Sequence, residues 1–307
     1  MALNVFSYEI NEFGGEDARA ITLSLGGRWH RRYGTAACPV CQPSRRRDQN
    51  ALTLANGRDG LLVHCKKSGC SFVGIMAAAG LRAGDWRRPD PAAIAERDRE
   101  IRAEAAKRAA QAESLWRETL PIEGTPAARY LRGRGITCPL PRRLRFHPEA
   151  WHGPTARRLP AMVALVEGGE GFATHRTFLR PDGSGKADIE PAKAMLGGTQ
   201  GGAVRLSDGP SRLVAAEGIE SALSLLCGLV DGPATIWAAL STSGLRGLRL
   251  PPVAGRLIIA ADGDPAGREA AHALAERAHA LGWQVGILDP GDGYDFNDRL
   301  TRKAVAA

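Results

Sequence analysis

Two apolar runs in the last third of the chain each end in carboxylates. The run Leu-Val-Ala-Ala leads into Glu217, and the run Leu-Ile-Ile-Ala-Ala leads into Asp262, Gly263 and Asp264. Short, continuous apolar runs are typical of buried strands in a parallel sheet. Because the ends of adjacent parallel strands open into one crevice, we expect these carboxylates to lie close together. Such an edge predicts a site for divalent cations and phosphates, of the kind used in two-metal phosphoryl chemistry.

The residues around these carboxylates alternate between strand and helix patterns. We predict helices over 219–229 and 266–281, and strands over 234–240, 256–261 and 284–288. This alternation is typical of βαβ units and a parallel sheet. An acid-rich turn after the last strand could bring further ligands to the same edge: Asp292, Asp295, Asn297 and Asp298.

The order of these acidic residues resembles a known domain. Glu217, the run Asp-Gly-Asp-Pro-Ala-Gly from Asp262 and the later Asp-Phe-Asn-Asp from Asp295 resemble the Toprim domain shared by DnaG-type primases, topoisomerases and some nucleases. The resemblance implies an α/β fold with a Rossmann-like, largely parallel sheet over 206–307. It implies Glu217 as general acid or base, and Glu217, Asp262 and Asp264 as the residues around Mg²⁺ or Mn²⁺. Asp295 matches a further metal-binding position more loosely.

One position departs from that pattern. Related domains often carry an acid four residues after the glutamate, where this chain has Ser221, with Glu220 beside it. The number of catalytic metal ions is therefore left open.

Four cysteines in the first part of the chain form two pairs. Cys38-Pro-Val-Cys41 and Cys65-Lys-Lys-Ser-Gly-Cys70 flank two short strand patterns. Four thiolates on two turns suit a tetrahedral structural Zn²⁺ site in a zinc ribbon. His64 could replace a cysteine ligand, and disulfide pairing is the competing interpretation, although no secretory signal is visible.

This cysteine module resembles the zinc-binding domain of bacterial and phage primases, in which the second pair runs into a Gly-Ile helix, here Cys70-Ser-Phe-Val-Gly-Ile. It departs in having Cys41 where many replicative primases have histidine, and in its wider second pair.

Cations and aromatic residues alternate from Arg28 to Tyr33, a pattern typical of single-stranded nucleic acid binding, although a solvated surface is the alternative. The candidate contacts are Arg28, Arg31, Arg32, Arg45, Arg46 and Arg47.

Charge is distributed unevenly along the chain. Its 307 residues carry a net charge of +8, but the last part, 206–307, is net acidic and the two parts at 26–90 and 121–205 are basic. This distribution suits a polyanion bound by the earlier parts and metal ions bound by the last. We predict a zinc ribbon over 1–88, a charged helical linker over 89–120, a basic α+β subdomain over 121–205 and the Toprim domain over 206–307. A partner-binding helix is the alternative for the linker.

The basic subdomain resembles the small subdomain that precedes Toprim in phage and plasmid primases. We predict a short helix from Thr125 and a hairpin around the glycines at 168–171. The resemblance implies contacts with triphosphate or template from Arg142, Arg143, Arg145, Arg176, Lys186 and Lys193.

The run Gly183-Ser-Gly-Lys186 is not a phosphate-binding Walker loop, because the earlier glycine is missing and Ala187 stands where Ser or Thr is needed. We expect a hairpin turn there, a flexible connection at 197–202, and buried thiols at Cys138 and Cys227.

Together the two resemblances imply a small DNA primase that makes short RNA primers on a single-stranded DNA template from nucleoside triphosphates. A replicative helicase acting in trans is a further partner, and a phage, plasmid or other mobile-element origin fits the same resemblance. A Toprim metal-dependent nuclease and a non-catalytic nucleic-acid-binding or regulatory module remain alternatives. No apolar run reaches membrane-spanning length and Met1-Ala-Leu-Asn lacks a charged signal, so we expect a cytoplasmic protein without membrane contact.

Overall fold

A computed structural model describes residues 17–46, 48–57, 60–81, 91–210 and 212–306. The chain divides into two compact units, Met1–Ile101 and Arg102–Ala307. Arg47, one of the predicted nucleic-acid contacts, lies outside the described residues. In the part of the chain that is described, no helix is both long and apolar enough to cross a membrane.

The first unit contains a four-stranded antiparallel sheet. Its strands lie in sequence order, β1 (Arg28–His30), β2 (Tyr33–Ala36), β3 (Leu52–Asn56) and β4 (Leu61–Cys65). Helix α1 (Ala18–Ser24) is capped by Asp17, and helix α2 (Phe72–Ala78) is capped by Ser71. The buried side chains of Ile21, Leu52, Leu54 and Ile75 form its small core.

Helix α3 (Pro91–Arg117) runs through the segment predicted as a helical linker. Its last turns are not simply exposed, because Ala112 is fully buried and Leu115 and Trp116 pack against the apolar cluster around Phe178. The guanidinium of Arg145 lies 5.2 Å from the ring centroid of Trp116. The end of α3 is therefore part of the second unit's core.

The second unit begins with a five-stranded antiparallel sheet, as the α+β prediction for this part of the chain requires. Its strands, in spatial as well as sequence order, are β5 (Leu120–Pro121), β6 (Leu144–His152), β7 (Arg157–Val166), β8 (Glu170–Phe178) and β9 (Lys193–Gly198). Helix α4 (Pro126–Gly133) lies between β5 and β6 and begins at its cap, Thr125.

Strand β9 corrects part of the prediction of a flexible glycine connection at 197–202, because Gly197 and Gly198 belong to the strand and only 199–202 form a turn. A Cβ atom on Gly197 would collide with the carbonyl oxygen of Phe172, and one on Gly198 would collide with that of Glu170. These glycines therefore let β9 approach β8 closely. The run Gly183 to Lys186 forms a turn, because Leu179 and Lys186 face each other as an antiparallel bridge.

The carboxyl-terminal sheet has the order β10-β12-β11-β13-β14. Its strands are β10 (Val204–Ser207), β11 (Leu213–Ala216), β12 (Thr235–Ala238), β13 (Arg256–Ala260) and β14 (Gln284–Leu288). Only β10 is antiparallel to its neighbour, so the sheet is largely parallel, as predicted.

Helices connect and follow these strands. They are α5 (Ile219–Ser224), which continues into a π-helical segment (Leu225–Leu229), α6 (Thr242–Gly247), α7 (Pro265–Ala280) and α8 (Phe296–Ala306). One apolar core joins the two sheets of the second unit, since it contains Leu144 and Met162 from the first sheet and Val214 and Ile236 from the other. This shared core holds the basic and the acidic sheets against each other.

Candidate active site

The strand-end carboxylates lie at one edge of the parallel sheet. Ala216, the last residue of β11, is paired with Ala260, the last residue of β13. Glu217 follows directly after β11, and Asp262 follows two residues after β13. The register therefore places both carboxylates at the same end of two adjacent strands, as predicted.

The Glu217 carboxyl group is partly buried, and its Oε2 atom has no hydrogen-bond partner among the described residues. Burial and the charges of Asp262 and Asp264 raise the pKa of Glu217 to about 7. A carboxyl group with this pKa can exchange a proton near neutral pH, which suits a general acid or base.

The Asp262 carboxyl group shares this environment. Burial, together with the charges of Asp295 and Asp264, raises its pKa to about 6. The Ser221 hydroxyl donates a hydrogen bond of 3.2 Å to Asp262 Oδ1. Since like charges raise both pKa values, a divalent cation bound among these oxygens would relieve the repulsion. The donor set therefore fits Mg²⁺ or Mn²⁺, which prefer oxygen ligands.

Asp264 and Asp295 also have local structural roles. Asp264 caps α7, because its Oδ1 accepts a hydrogen bond of 2.7 Å from the Gly267 amide. Asp295 and Asp298 accept hydrogen bonds from each other's amides at the start of α8. Asp264 is nevertheless exposed, and Asp295 is close enough to act on the pKa of Asp262.

Sequence reasoning did not assign a role to Glu220, which is 5% exposed. Its Oε1 accepts a hydrogen bond of 2.8 Å from the Tyr130 hydroxyl. Lys193 Nζ lies 3.3 Å from its Oε2, and Lys186 Nζ lies 3.7 Å from its Oε1. Burial alone would raise the pKa of Glu220, but the two lysines and the Tyr130 hydroxyl lower it to about 2.

Lys186 and Lys193, both predicted to contact triphosphate or template, are thus brought together by one carboxylate. Burial lowers the pKa of Lys186, and Glu220 opposes that change. The charge of Lys193 lowers the pKa of both Glu217 and Asp262, so its ammonium group acts directly on the acidic edge. A glutamate inside an otherwise small and apolar helix was the sequence signal for this network.

His175 lies in β8 and is 3% exposed. Its Nδ1 atom has no hydrogen-bond partner in the described part of the chain. Burial and the nearby charge of Lys193 lower the pKa of His175 to about 4. The imidazole is therefore neutral at physiological pH.

The predicted arginine contacts of the basic subdomain differ in their surroundings. Arg142 is exposed, but Arg143 pairs with Glu167 at 2.6 Å and Asp208 at 3.2 Å. Arg145 donates to the Thr119 carbonyl at 2.8 Å. Arg176 donates to the Trp151 carbonyl at 2.8 Å, and burial lowers its pKa. Three of these four arginines thus make contacts within the protein.

The four predicted zinc ligands form one cluster in the first unit. The sulfur atoms of Cys38, Cys41, Cys65 and Cys70 all lie within 4.8 Å of one another. Burial raises the pKa of the Cys65 thiol, but the amides of Ser68, Cys70 and Lys67 outweigh it and lower this pKa to about 6. Because tetrahedral Zn²⁺ with bonds of about 2.3 Å places its sulfur ligands about 3.8 Å apart, this cluster fits zinc. His64 is exposed on β4 and is not among the clustered ligands.

The predicted arginine contacts of the first unit that the structure describes are all exposed: Arg28, Arg31, Arg32, Arg45 and Arg46. The rings of His30 and Tyr33 stack with centroids 5.1 Å apart, and Tyr33 is 42% exposed. Arg46 lies 3.6 Å from Asp48 in an exposed ion pair, which contributes little to stability. These side chains remain accessible to a polyanion.

Cys138 and Cys227 correct a prediction. The prediction of buried thiols is wrong, because both residues are only partly buried and the structure joins them by a disulfide bond. Their Cα atoms are 5.3 Å apart, within the usual range for such a bond. Sequence spacing could not reveal this pair, because 89 residues separate its members.

Comparison with solved structures finds primases. The zinc-binding and RNA polymerase domains of the Aquifex aeolicus primase are 13% identical, with a TM-score of 0.37, over 96% of this chain and 80% of that chain. The RNA polymerase domain of Mycobacterium tuberculosis primase DnaG is 20% identical, with a TM-score of 0.36, over 66% of this chain and 80% of that chain. The primase fragment of the bacteriophage T7 primase-helicase protein is 16% identical, with a TM-score of 0.28, over 47% of this chain and 66% of that chain. No curated protein matches the chain.

Two family descriptions match the sequence of the second unit. Residues 106–206 match a domain of unknown function (DUF7146), and residues 212–306 match the Toprim domain. The second match covers the strands and loops that carry Glu217, Asp262, Asp264 and Asp295. It confirms the resemblance from which their roles were predicted. The carboxyl-terminal part of this chain, residues 212–306, is therefore a Toprim domain.

Proposed function

We propose that this chain is a DNA primase, a nucleotidyltransferase that joins nucleotides into short RNA primers on single-stranded DNA. The observation that carries the proposal is the meeting of two opposite sets of charges within the second unit. The carboxylates of Glu217 and Asp262 lie at the edge of the Toprim sheet, and the ammonium groups of Lys186 and Lys193 come to the same region from the preceding basic sheet. Metal-dependent joining of nucleotides needs both sets.

The acidic residues have separate roles in this proposal. Asp262 and Asp264 would hold Mg²⁺ or Mn²⁺, with Asp295 as a further ligand. The 3′ hydroxyl of the preceding nucleotide would attack the α-phosphorus of the incoming triphosphate, forming a phosphodiester and releasing pyrophosphate. When bound, the cations would neutralise charge on the triphosphate and make that hydroxyl a better nucleophile. Glu217, whose pKa is about 7, would accept the proton of that hydroxyl or help to orient it.

The basic residues would bind the negatively charged substrates. Lys186 and Lys193 would contact the phosphates of the incoming nucleoside triphosphate. Arg142 is exposed and would contact the template. The guanidinium groups of Arg143, Arg145 and Arg176 already bond other groups of the protein, so they would contact the template only through their remaining N–H donors. Closely placed positive charges beside the reacting phosphates would stabilise the charge that develops on them.

The first unit would bind the template. Its cysteine cluster would hold Zn²⁺, and exposed arginines with the stacked His30 and Tyr33 would contact phosphates and bases of single-stranded DNA. Arg28, Arg31, Arg32, Arg45 and Arg46 are the described candidates, and Arg47 belongs to the same run of sequence. A replicative helicase in trans would supply the single strand, and the protein would act in the cytoplasm.

Incubation with single-stranded DNA, ribonucleoside triphosphates and Mg²⁺ or Mn²⁺ tests the proposal. We expect short labelled oligoribonucleotides that disappear when the metal is chelated. Shortening of the DNA without synthesis would instead identify a nuclease. Tight DNA binding with neither reaction would identify a binding or regulatory module, and both of these results would contradict the proposal.

A further inference from the structure

Glu220 lies three residues after Glu217, in the first turn of α5, but has different surroundings. Its side chain is 6% exposed, whereas the side chains of Lys186 and Lys193 are 41% and 40% exposed. The carboxylate is therefore covered, while both lysine side chains are partly accessible to solvent. Glu217 lies before the start of α5 and has an oxygen without a hydrogen-bond partner among the described residues, whereas Glu220, inside the helix, is already surrounded by protein groups.

The partners of Glu220 account for both of its oxygens. Oε1 accepts the Tyr130 hydroxyl at 2.8 Å and lies 3.7 Å from Lys186 Nζ, and Oε2 lies 3.3 Å from Lys193 Nζ. A buried carboxylate is stable only when it is paired and hydrogen-bonded in this way. Glu220 consequently has no free oxygen to offer a divalent cation, although it belongs to the acidic part of the chain.

The same contacts bring together two lysines that would otherwise repel each other. Lys186 lies in the turn after β8, and Lys193 begins β9. Lys193 Nζ donates one hydrogen bond to Glu220, and Lys186 Nζ, at 3.7 Å, forms an ion pair with it. Because each ammonium group has three donors, both have donors left for an anion. Ser221, the next residue after Glu220, donates a hydrogen bond to Asp262, so the lysine pair on Glu220 lies next to the acidic edge.

We infer that Glu220 is a positioning residue that holds Lys186 and Lys193 as a pair for binding the triphosphate group of the incoming nucleotide. This inference rests on the proposed function and adds a residue to it that the Toprim resemblance does not supply. Glu220 acts through the lysines and does not itself contact the substrate. Tyr130 has a lesser role of the same kind, because its hydroxyl orients the carboxylate.

The matched control is Asp188, which lies between the two lysines in sequence. It pairs with Arg180 at 2.8 Å, and its side chain is 80% exposed. Asp188→Asn and Glu220→Gln each remove one negative charge from this part of the chain, but only the second removes the common partner of the two lysines. If charge alone decided the affinity, both variants would bind a polyanion equally well or more tightly than the unmodified protein.

The test measures binding of inorganic triphosphate to the full chain by calorimetry in the presence of Mg²⁺. We expect Glu220→Gln to raise the dissociation constant about tenfold and Tyr130→Phe to raise it about twofold, because charge-assisted contacts are stronger than neutral ones. Asp188→Asn should leave it unchanged. In a double-mutant cycle, Glu220→Gln should raise the dissociation constant by a smaller factor in the Lys193→Gln background than in the unmodified protein, since part of its effect passes through that lysine. Unchanged or tighter binding by Glu220→Gln, or full additivity, would overturn the inference.

Steady-state kinetics separates positioning from simple loss of structure. Positioning predicts a higher KM for nucleoside triphosphate with kcat nearly preserved, whereas partial unfolding lowers kcat without changing KM. If the protein makes no primers but its triphosphate binding depends on Glu220, the proposed function fails and this inference stands. If primers are made and Glu220→Gln changes neither KM nor triphosphate binding, the inference fails and the proposed function stands.

Discussion

The hydroxyl of Ser221 donates a hydrogen bond to Oδ1 of Asp262 over 3.2 Å. Ser221 therefore lies against the candidate metal site at the position where related Toprim domains often have an acid. The serine stabilises the charged form of Asp262 without adding a negative charge. In this chain, the acidic edge has one carboxylate fewer, and Lys193 supplies positive charge beside it.

Ser221→Asp should make the stability of the protein depend more strongly on divalent metal. Ser221 is 3% exposed, so a new carboxylate there would be buried beside the acidic residues. Without a metal ion it would repel them, and with a metal ion bound it would act as a further ligand. We expect a lower melting temperature than that of the unmodified protein in a chelator, and a larger increase on adding Mn²⁺. The matched control is Ser224→Asp, one turn further along α5 and also fully buried, which should be destabilised without rescue by metal. Equal responses of the two variants would contradict the assignment of Ser221 to the site.

Metal affinity should increase with pH between 6 and 8. The pKa values of Glu217 and Asp262 are raised to about 7 and about 6, and a cation binds only their deprotonated forms. As pH rises through these values the competing protons leave, so the dissociation constant for Mn²⁺ should fall about tenfold or more and then level off. Calorimetric titration at several pH values measures this change. Glu217→Gln should flatten the profile, and a profile that is flat in the unmodified protein would rule out these carboxylates as the ligands.

His175 should make the protein less stable in mild acid. Its pKa is lowered to about 4 in the folded chain, below the ordinary value of about 6.5. Between these two values the unfolded chain binds a proton at His175 and the folded chain does not. The free energy of unfolding is therefore highest above pH 6.5 and falls as the pH decreases towards 4. Between pH 7 and pH 5 the expected loss is about 2 kcal/mol of unfolding free energy.

Urea unfolding at the two pH values measures the effect of His175. His175→Gln should lose about 2 kcal/mol less than the unmodified protein over this interval. His272→Gln, at an exposed histidine, serves as the control and should keep the full pH dependence. An unchanged pH dependence in His175→Gln would show that the buried imidazole does not control it.

Loss of one cysteine ligand should release zinc from the first unit. That unit has a small apolar core, so a metal bound by four thiolates contributes much of its folding free energy. Elemental analysis should find about one zinc ion per chain in the unmodified protein and in Cys138→Ser, but little in Cys38→Ser. Full zinc content in Cys38→Ser would contradict the four-cysteine site.

Much of the parallel sheet could be predicted from the sequence, because the strand patterns, the helix patterns and the positions of the acids all indicate the same fold. Apolar runs of four or five residues separate helix patterns, and the acids follow the strands directly. The strand register then brings Glu217 and Asp262 together without any information beyond chain order. The cysteine cluster could be predicted for the same reason, since paired cysteines and the strands between them are local features.

Other contacts depend on parts of the chain that are distant in sequence. Tyr130 and Glu220 are 90 residues apart, and no local pattern reveals that they meet. The sequence does not predict strand β6, because its arginines and Pro148 obscure the alternation of apolar and polar residues that is typical of a strand. The pairing of β6 with β7 also shifts in register between His147 and Ala150. The basic and acidic sheets meet through a shared core, and only that packing brings the lysines to the acidic edge.

The most direct test of the account is primer synthesis by Glu217→Gln and Asp262→Asn with Mg²⁺ or Mn²⁺, compared with Asp292→Asn. Asp292 also lies in the acid-rich region, but it is 92% exposed and pairs with Arg268. The account predicts that both site variants lose synthesis by at least about a hundredfold while they keep their zinc and their affinity for single-stranded DNA. Asp292→Asn should synthesise primers like the unmodified protein. Undiminished synthesis by Asp262→Asn or Glu217→Gln would contradict the proposal that this edge of the Toprim sheet is the active site.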